Sequence, residues 1–306
     1  MKIFLLIRKI FSYLIIIVAF YFIFRNIFVS WGEIRSTFWQ LNIYLIILSY
    51  LLLFPSLFLY VYAWQLIIKE IEQEKKIGFF SACGIITVSN LGKYVPGKIW
   101  FALSRLDLAK RFGFEEKKVF LSILLESFYL LLGALFYFIF FLKKYYFFLI
   151  LFLFVFIAPK IFKGFFNLVL KMLKKEKIDF SFSLKKSFLI FLLDILVWFF
   201  QGSAFSLLVK AIYFKINFTH FLSLIGIYSL SWMLGFLVLI APGGLGVREG
   251  SMMIFLKNIL PVGLASLLAI ISRIWLIIHE LLNFLIFGLF FLTKMRKKDI
   301  IDYEKN

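Results

Sequence analysis

The chain carries little with which to do redox, metal or acid–base chemistry. Its single cysteine, Cys83, excludes an internal disulfide and any multi-thiolate metal site within one chain. It reads as a small buried hydrophobe. Only His220 and His279 offer imidazoles, and no group of His, Asp and Glu has metal-ligand spacing. The segment HELLN, 279–283, has Asn283 where a zinc protease needs its second histidine. There is no GxSxG elbow for a serine hydrolase. Acidic residues are scarce, 16 against 35 Lys plus Arg, and the segments assigned below to the outside hold only Glu33. A polyprenyl-dependent glycosyltransferase working with carboxylates in an outer loop is therefore disfavoured. GKYVPGKI, 92–99, has the glycines and lysine of a phosphate-binding loop, but Ile99 stands where Ser or Thr must reach Mg²⁺, and no strand precedes it. No cofactor and no metal are expected.

Apolar residues are abundant instead. Hydrophobic residues make up 63 % of the 306, charged residues 17 %, and the mean hydropathy is +1.00, which excludes a soluble globular domain. The formal net charge is +19, carried in short tracts between apolar runs. That pattern suits anionic lipid head groups at a membrane surface and not nucleic acid. The 44 phenylalanines fit lipid-facing filling. Lys2, Arg8 and Lys9 surround an apolar run reaching Phe24, too long for a signal-peptide core and without a small-residue cleavage site, so it reads as an uncleaved first span.

A helix needs about 20 apolar residues to cross the hydrocarbon core. Seven stretches qualify or nearly so: 3–24, 42–68, 119–142, 145–162, 188–209, 221–241 and 264–292. The linkers 69–78, 109–118 and 160–187 hold three, four and eight Lys or Arg, whereas 25–41, 143–144 and 210–220 hold two each. The first group, and with it the N-terminus, is expected to be cytoplasmic. Two further apolar stretches are interrupted: 79–108 at Pro96 and Gly97, and 242–262 at Pro242, Gly243 and Gly244. Both flanks of the first then lie on one side, which predicts a re-entrant hairpin. Seven crossings would leave the tail outside, yet Lys294, Arg296, Lys297 and Lys298 argue for inside. Either 242–262 crosses once or the span count is wrong. The basic linker near 171–187 divides the chain into halves of about 1–170 and 188–295, each with one interrupted segment. Paired breaks of this kind point to a transporter binding site between inverted repeats.

The first break places Asn90, Lys93, Lys98, Trp100, Arg105 and Asp107 in apolar surroundings. Pro96 forbids a continuous helical ladder and Gly97 permits the turn. A helix restarting near Lys98 would offer free N–H groups beside Lys93 and Lys98, with Arg105 two turns on, and so an anion site. Snorkelling of the two lysines to the interface is the plainer alternative. In the second break Pro242, Gly243, Gly244 and Gly246 unwind the chain just before Arg248 and Glu249. Burying an arginine at the bilayer centre costs roughly 2.5 to 3.5 kcal/mol, so Arg248 should face a cavity or a partner. An Arg–Glu pair that only pins two helices is the bland reading. Glu126, Asp194 and the pair Arg273 and Glu280, two turns apart on one face, are further intramembrane charges that would balance the arginines or gate release.

GKYVPGKIW followed by Arg105, and PGGLGVREG followed by SRIW and Glu280, resemble the signatures of the flippase-like, lysylphosphatidylglycerol synthase transmembrane-region family over nearly the whole chain. The resemblance implies an all-α polytopic membrane protein of about seven to eight transmembrane helices with one or two re-entrant elements. In that family this region is the translocase part of the multiple peptide resistance factors, which move aminoacylated phosphatidylglycerol to the outer leaflet. Lys93, Pro96, Gly97, Lys98 and Arg105 would form one re-entrant element. Pro242, Gly243, Gly244, Gly246, Arg248 and Glu249 would form the other, the two meeting at a lipid cavity. Aminoacyl transfer belongs to a separate soluble domain, expected to be absent from a sequence ending at Asn306. The expectation is thus a non-enzymatic lipid translocase in the cytoplasmic membrane of a prokaryote. Its partners would be a phospholipid or lipid-linked head group, an anionic membrane surface, a separate lipid-modifying enzyme and further copies of itself. The rival is an accessory membrane subunit of glycolipid or aminoacyl-lipid synthesis.

Overall fold

In the computed structural model, residues 21–32, 35, 41–94, 99–142, 147–172, 176–180, 182–238 and 244–295 are described. Among them there is no strand. The helices are α1 (21–29), α2 (Ile43–Ile71), α3 (Phe79–Leu91), α4 (Trp100–Lys110), α5 (Glu116–Leu142), α6 (Phe147–Met172), α7 (Leu184–Ile212), α8 (Phe221–Leu237), α9 (Val247–Leu256) and α10 (Val262–Asn283). Among the described residues, five stretches are long and apolar enough to cross a membrane: Ile43–Ile71, Glu116–Ile139, Leu184–Ile212, Phe218–Leu237 and Val262–Met295. The all-α polytopic membrane architecture expected from the sequence is therefore the one observed. The first expected span, 3–24, lies mostly outside the described residues, as do Arg296, Lys297 and Lys298.

The chain forms two compact units, each assembled from three segments. The first comprises Met1–Ser56, Gly133–Phe148 and Ile195–Ile277; the second comprises Leu57–Leu132, Leu149–Asp194 and Ile278–Asn306. The described residues of linkers 69–78, 109–118 and 160–187 all belong to the second unit, and those of 25–41 and 210–220 to the first.

The second unit is built on the C-terminal part of α2. Leu57, Val61, Trp64 and Ile68 recur at helical spacing and are buried. Leu57, Val61 and Trp64 pack with Ile85, Ile86 and Phe291, and Ile68 with Phe114, Val119 and Ile123. α3 and α4, 13 and 11 residues long, are only about 20 and 16 Å at 1.5 Å per residue. Neither spans a hydrocarbon core of about 30 Å. They pack on each other as a pair. Gly92 permits the close approach: a Cβ there would stand 2.7 Å from the Phe101 backbone nitrogen. Gly92→Ala is expected to destabilise the protein by about 1–3 kcal/mol through overpacking, measured as a lowered midpoint of thermal unfolding in detergent. α3 also rests on a π-helical turn, Phe284–Gly288, that continues α10.

Outside the apolar stretches, the linker after α6 folds back on that helix. Asn167 accepts from the Ile178 backbone N–H and donates to its carbonyl, both at 2.8 Å. Lys163 pairs with Asp179 and Lys186 with Glu70. Lys118 donates to Glu115 at 2.9 Å, a hydrogen bond that holds the Glu115 carboxyl below its ordinary range.

In the first unit, Ile23 and Ile27 of α1 pack with Leu264 of α10. α8 packs against the ten-residue α9, which is about 15 Å long. Aromatic rings fill the space beside them. Tyr228 meets Phe205, Trp198 and Trp275 at centroid distances of 5.0, 6.3 and 6.2 Å.

Candidate functional site

Among the described residues, the intramembrane charges expected from the sequence, Asp194 excepted, form three groupings. In the second unit, Arg105 of α4 is fully buried and surrounded by partners from α2, α3 and α5. Its Nη1 pairs with Glu126. Its Nε faces Ser89 Oγ at 3.3 Å, and Nη2 donates to Tyr60 Oη and Asn90 Oδ1, each at 3.3 Å. The guanidinium carbon lies 5.5 Å from the centre of the Trp64 ring, whose Nε1 donates to Ser122 Oγ at 3.1 Å. Every nitrogen of Arg105 is thereby engaged by protein. An ion pair this deep is held by geometry, since attraction must offset desolvation of both charges.

The second grouping joins the break after α3 to α10. Lys93, in the 3₁₀ turn Gly92–Tyr94, pairs with Glu280, and Tyr94 Oη donates to the other carboxylate oxygen at 2.7 Å. Lys93 is about one-third exposed and Glu280 largely buried, 34 % and 14 % by side chain. The sequence left Glu280 open as a partner for Arg248 or Arg273; its partners are Lys93 and Tyr94. Pro96, Gly97 and Lys98 lie outside the described residues.

The third grouping is in the first unit, where the chain turns from α8 into α9. Pro242 and Gly243 lie outside the described residues. Gly244 and Gly246 adopt φ of +72° and +82°, conformations L-residues rarely take. Gly244 also lies against the end of α8: a Cβ on it would stand 2.7 Å from the Gly235 carbonyl oxygen. Gly235 in turn makes room for Arg248, whose Cβ would be 3.0 Å from a Cβ at that position. Gly246 is the N-cap of α9, and its N–H donates to Glu249 Oε2 at 2.7 Å, the carboxylate half of a capping box. The other oxygen, Oε1, sits 3.7 Å from Arg273 Nη1 and has no hydrogen bond. Arg273 therefore faces Glu249, although its spacing from Glu280 suggested a shared face.

Arg248 differs from Arg105 in what surrounds it. It is 5 % exposed, and its guanidinium lies over the Tyr228 ring at 5.2 Å. Nε and Nη2 are buried and have no hydrogen-bond partner among the described residues. These two nitrogens share one edge of the guanidinium plane, the edge that grips two oxygens of a carboxylate or phosphate at once. Asp194, of α7, is 1 % exposed, and its Oδ1 is also without a hydrogen bond. Sequence reasoning missed Tyr60, Trp64, Tyr94, Tyr228 and Gly235. Of these only Tyr94, inside the GKYVPGK motif, stood near enough to a break to be suspected.

Long apolar helices joined by short ones, with charged side chains buried at the breaks, define a polytopic helical membrane protein. The chain belongs to the family described as the lysylphosphatidylglycerol synthase TM region, which matches residues 9–279. That places it among membrane regions associated with lipid modification or translocation. No curated protein matches it.

Proposed function

We propose that this protein is a lipid translocase of a prokaryotic cytoplasmic membrane, moving lipids whose head groups carry an oxoanion between leaflets. One observation carries the reading: the unpartnered Nε and Nη2 edge of the buried Arg248, set beside backbone unwound by glycine. A buried guanidinium with two nitrogens left without hydrogen bonds is a high-energy arrangement. It is relieved when an anion arrives, which is how a binding site differs from a structural ion pair. Unwound backbone at membrane depth is tolerated where it lines protein or a water-filled space. Glu249 and Arg273 hold α9 and orient Arg248. Arg105, its donors committed to Glu126, Ser89, Tyr60 and Asn90, supports the α3–α4 pair. Lys93 and Lys98 attract head groups at the other break, Lys93 exchanging Glu280 for a lipid phosphate.

The test is leaflet exchange of labelled phospholipids in vesicles reconstituted with purified protein. Wild type should accelerate exchange of an anionic or aminoacylated lipid, and Arg248→Ala should reduce that acceleration at least tenfold, the equivalent of about 1.4 kcal/mol. Arg248→Lys should recover little, because an ammonium cannot present two coplanar donors. If no lipid exchanges faster than in protein-free vesicles, the accessory-subunit reading takes precedence. Substitutions in the 160–187 linker should then be the ones that abolish function.

A further inference from the structure

The second unit contains one buried carboxyl group too many. Arg105 and Glu126 balance each other, 1 % and 3 % exposed by side chain. Asp194 is equally buried, and no Lys or Arg among the described residues pairs with it. The nearest lysine along its own helix in an ion pair, Lys186, lies two turns away and is engaged with Glu70. The charged group facing Asp194 is Glu126 of α5, of the same sign, and the other titratable group is Tyr129 of α5. Tyr129 gives its hydroxyl proton to the Val155 carbonyl of α6 at 3.2 Å. Glu126 Oε1 and Asp194 Oδ1 both lack hydrogen bonds. Two carboxylates and one guanidinium leave a net negative charge buried beside apolar side chains, where an isolated carboxylate is prohibitively expensive.

We infer that Asp194 is a proton-binding site, occupied by a proton in the conformation seen here and released only when the surrounding helices part enough to admit water. A metal cation is the poorer occupant: no group of three or more His, Cys, Asp or Glu that could hold one exists among the described residues. Two carboxylate oxygens fall short of the six or so that a hard cation gathers. A protonated carboxyl needs only to shed its charge. The site belongs to the second unit and the Arg248 edge to the first, and the inference does not depend on what Arg248 binds. Coupling of proton release to lipid movement is the further consequence, and that part rests on the translocase reading.

The direct test is infrared spectroscopy of the full chain in lipid nanodiscs at neutral pH. Wild type should show the carbonyl band of a buried protonated carboxylic acid, shifted by deuterium exchange. Asp194→Asn should lose it and Glu126→Gln should keep it. Should Asp194→Asn not fold, Asp194→Glu retains an acid, and its band should move in position. The proposal is overturned if wild type shows no such band, if the band survives in Asp194→Asn, or if it is present in choline chloride and vanishes in sodium chloride. In the vesicle assay, the pH dependence of lipid exchange seen for wild type should be flattened in Asp194→Asn. A band that behaves as expected in a protein that exchanges no lipid would keep the proton site and remove the translocase. Lipid exchange without the band would do the opposite.

Discussion

Glu126→Leu is expected to destabilise the protein by about 3–5 kcal/mol, the usual consequence of leaving one partner of a buried ion pair uncompensated. The reason lies in the surroundings of Arg105. Its guanidinium is fully buried, and its remaining partners, Ser89, Tyr60 and Asn90, are neutral. None of them can replace the charge of Glu126. The double variant Arg105→Met with Glu126→Leu should be the more stable of the two, recovering up to about 2 kcal/mol of that loss. It retains no orphan charge, and gives up the hydrogen bonds at Tyr60, Asn90 and Ser89, about 1 kcal/mol each, with the cation contact to the Trp64 ring. Thermal unfolding in detergent, followed by helical circular dichroism, measures both. A single variant as stable as wild type would mean that the pair is hydrated and not buried. The same double variant separates two roles for Arg105. If it is stable and still exchanges lipid, Arg105 supports the helix pair; if it is stable and inert, Arg105 handles head groups.

Much of this arrangement was legible before any coordinates. Continuous apolar runs of about 20 residues become helices because a helix satisfies its backbone groups within its own segment in hydrocarbon. The two Gly/Pro breaks therefore announced themselves: α3 and α4 flank the first, and α8 and α9 flank the second. The residues worth suspecting were legible for the same reason, since Arg105, Glu126, Asp194, Arg248, Glu249 and Arg273 stood as charges inside apolar stretches, and all six are buried or nearly so. Partnership was not legible. Arg105 finds Glu126 at 21 residues' separation and Lys93 finds Glu280 at 187, distances that helix periodicity does not address. Periodicity even misdirected: Arg273 and Glu280 share a face by spacing, yet one turns to Glu249 and the other to Lys93. The aromatic surroundings, Trp64 beside Arg105 and Tyr228 beside Arg248, were hidden among the abundant Phe, Tyr and Trp of the apolar stretches.

Gly244→Ala should be nearly as damaging as breaking the Arg105 pair, at about 2–5 kcal/mol. Two effects add. A positive φ of 72° disfavours any residue with a Cβ by about 1–2 kcal/mol. The new methyl group would also press on backbone, with the Gly235 oxygen, carbonyl carbon and Cα at 2.7, 2.9 and 2.9 Å. Backbone cannot swing aside as a flexible side chain can, so the turn into α9 must shift, for about 1–3 kcal/mol of overpacking. Gly164→Ala supplies the contrast, because that glycine sits inside α6 with nothing within 4 Å of a built Cβ. It should be neutral or stabilising by up to about 1 kcal/mol, the ordinary preference of a helix for alanine. Thermal unfolding of the two variants side by side decides the matter. A Gly244→Ala protein that melts with wild type would show that α8 and α9 do not approach through Gly235 and Gly244. Arg248 would then lose the contact that sets its position, and the oxoanion site would have to be built differently.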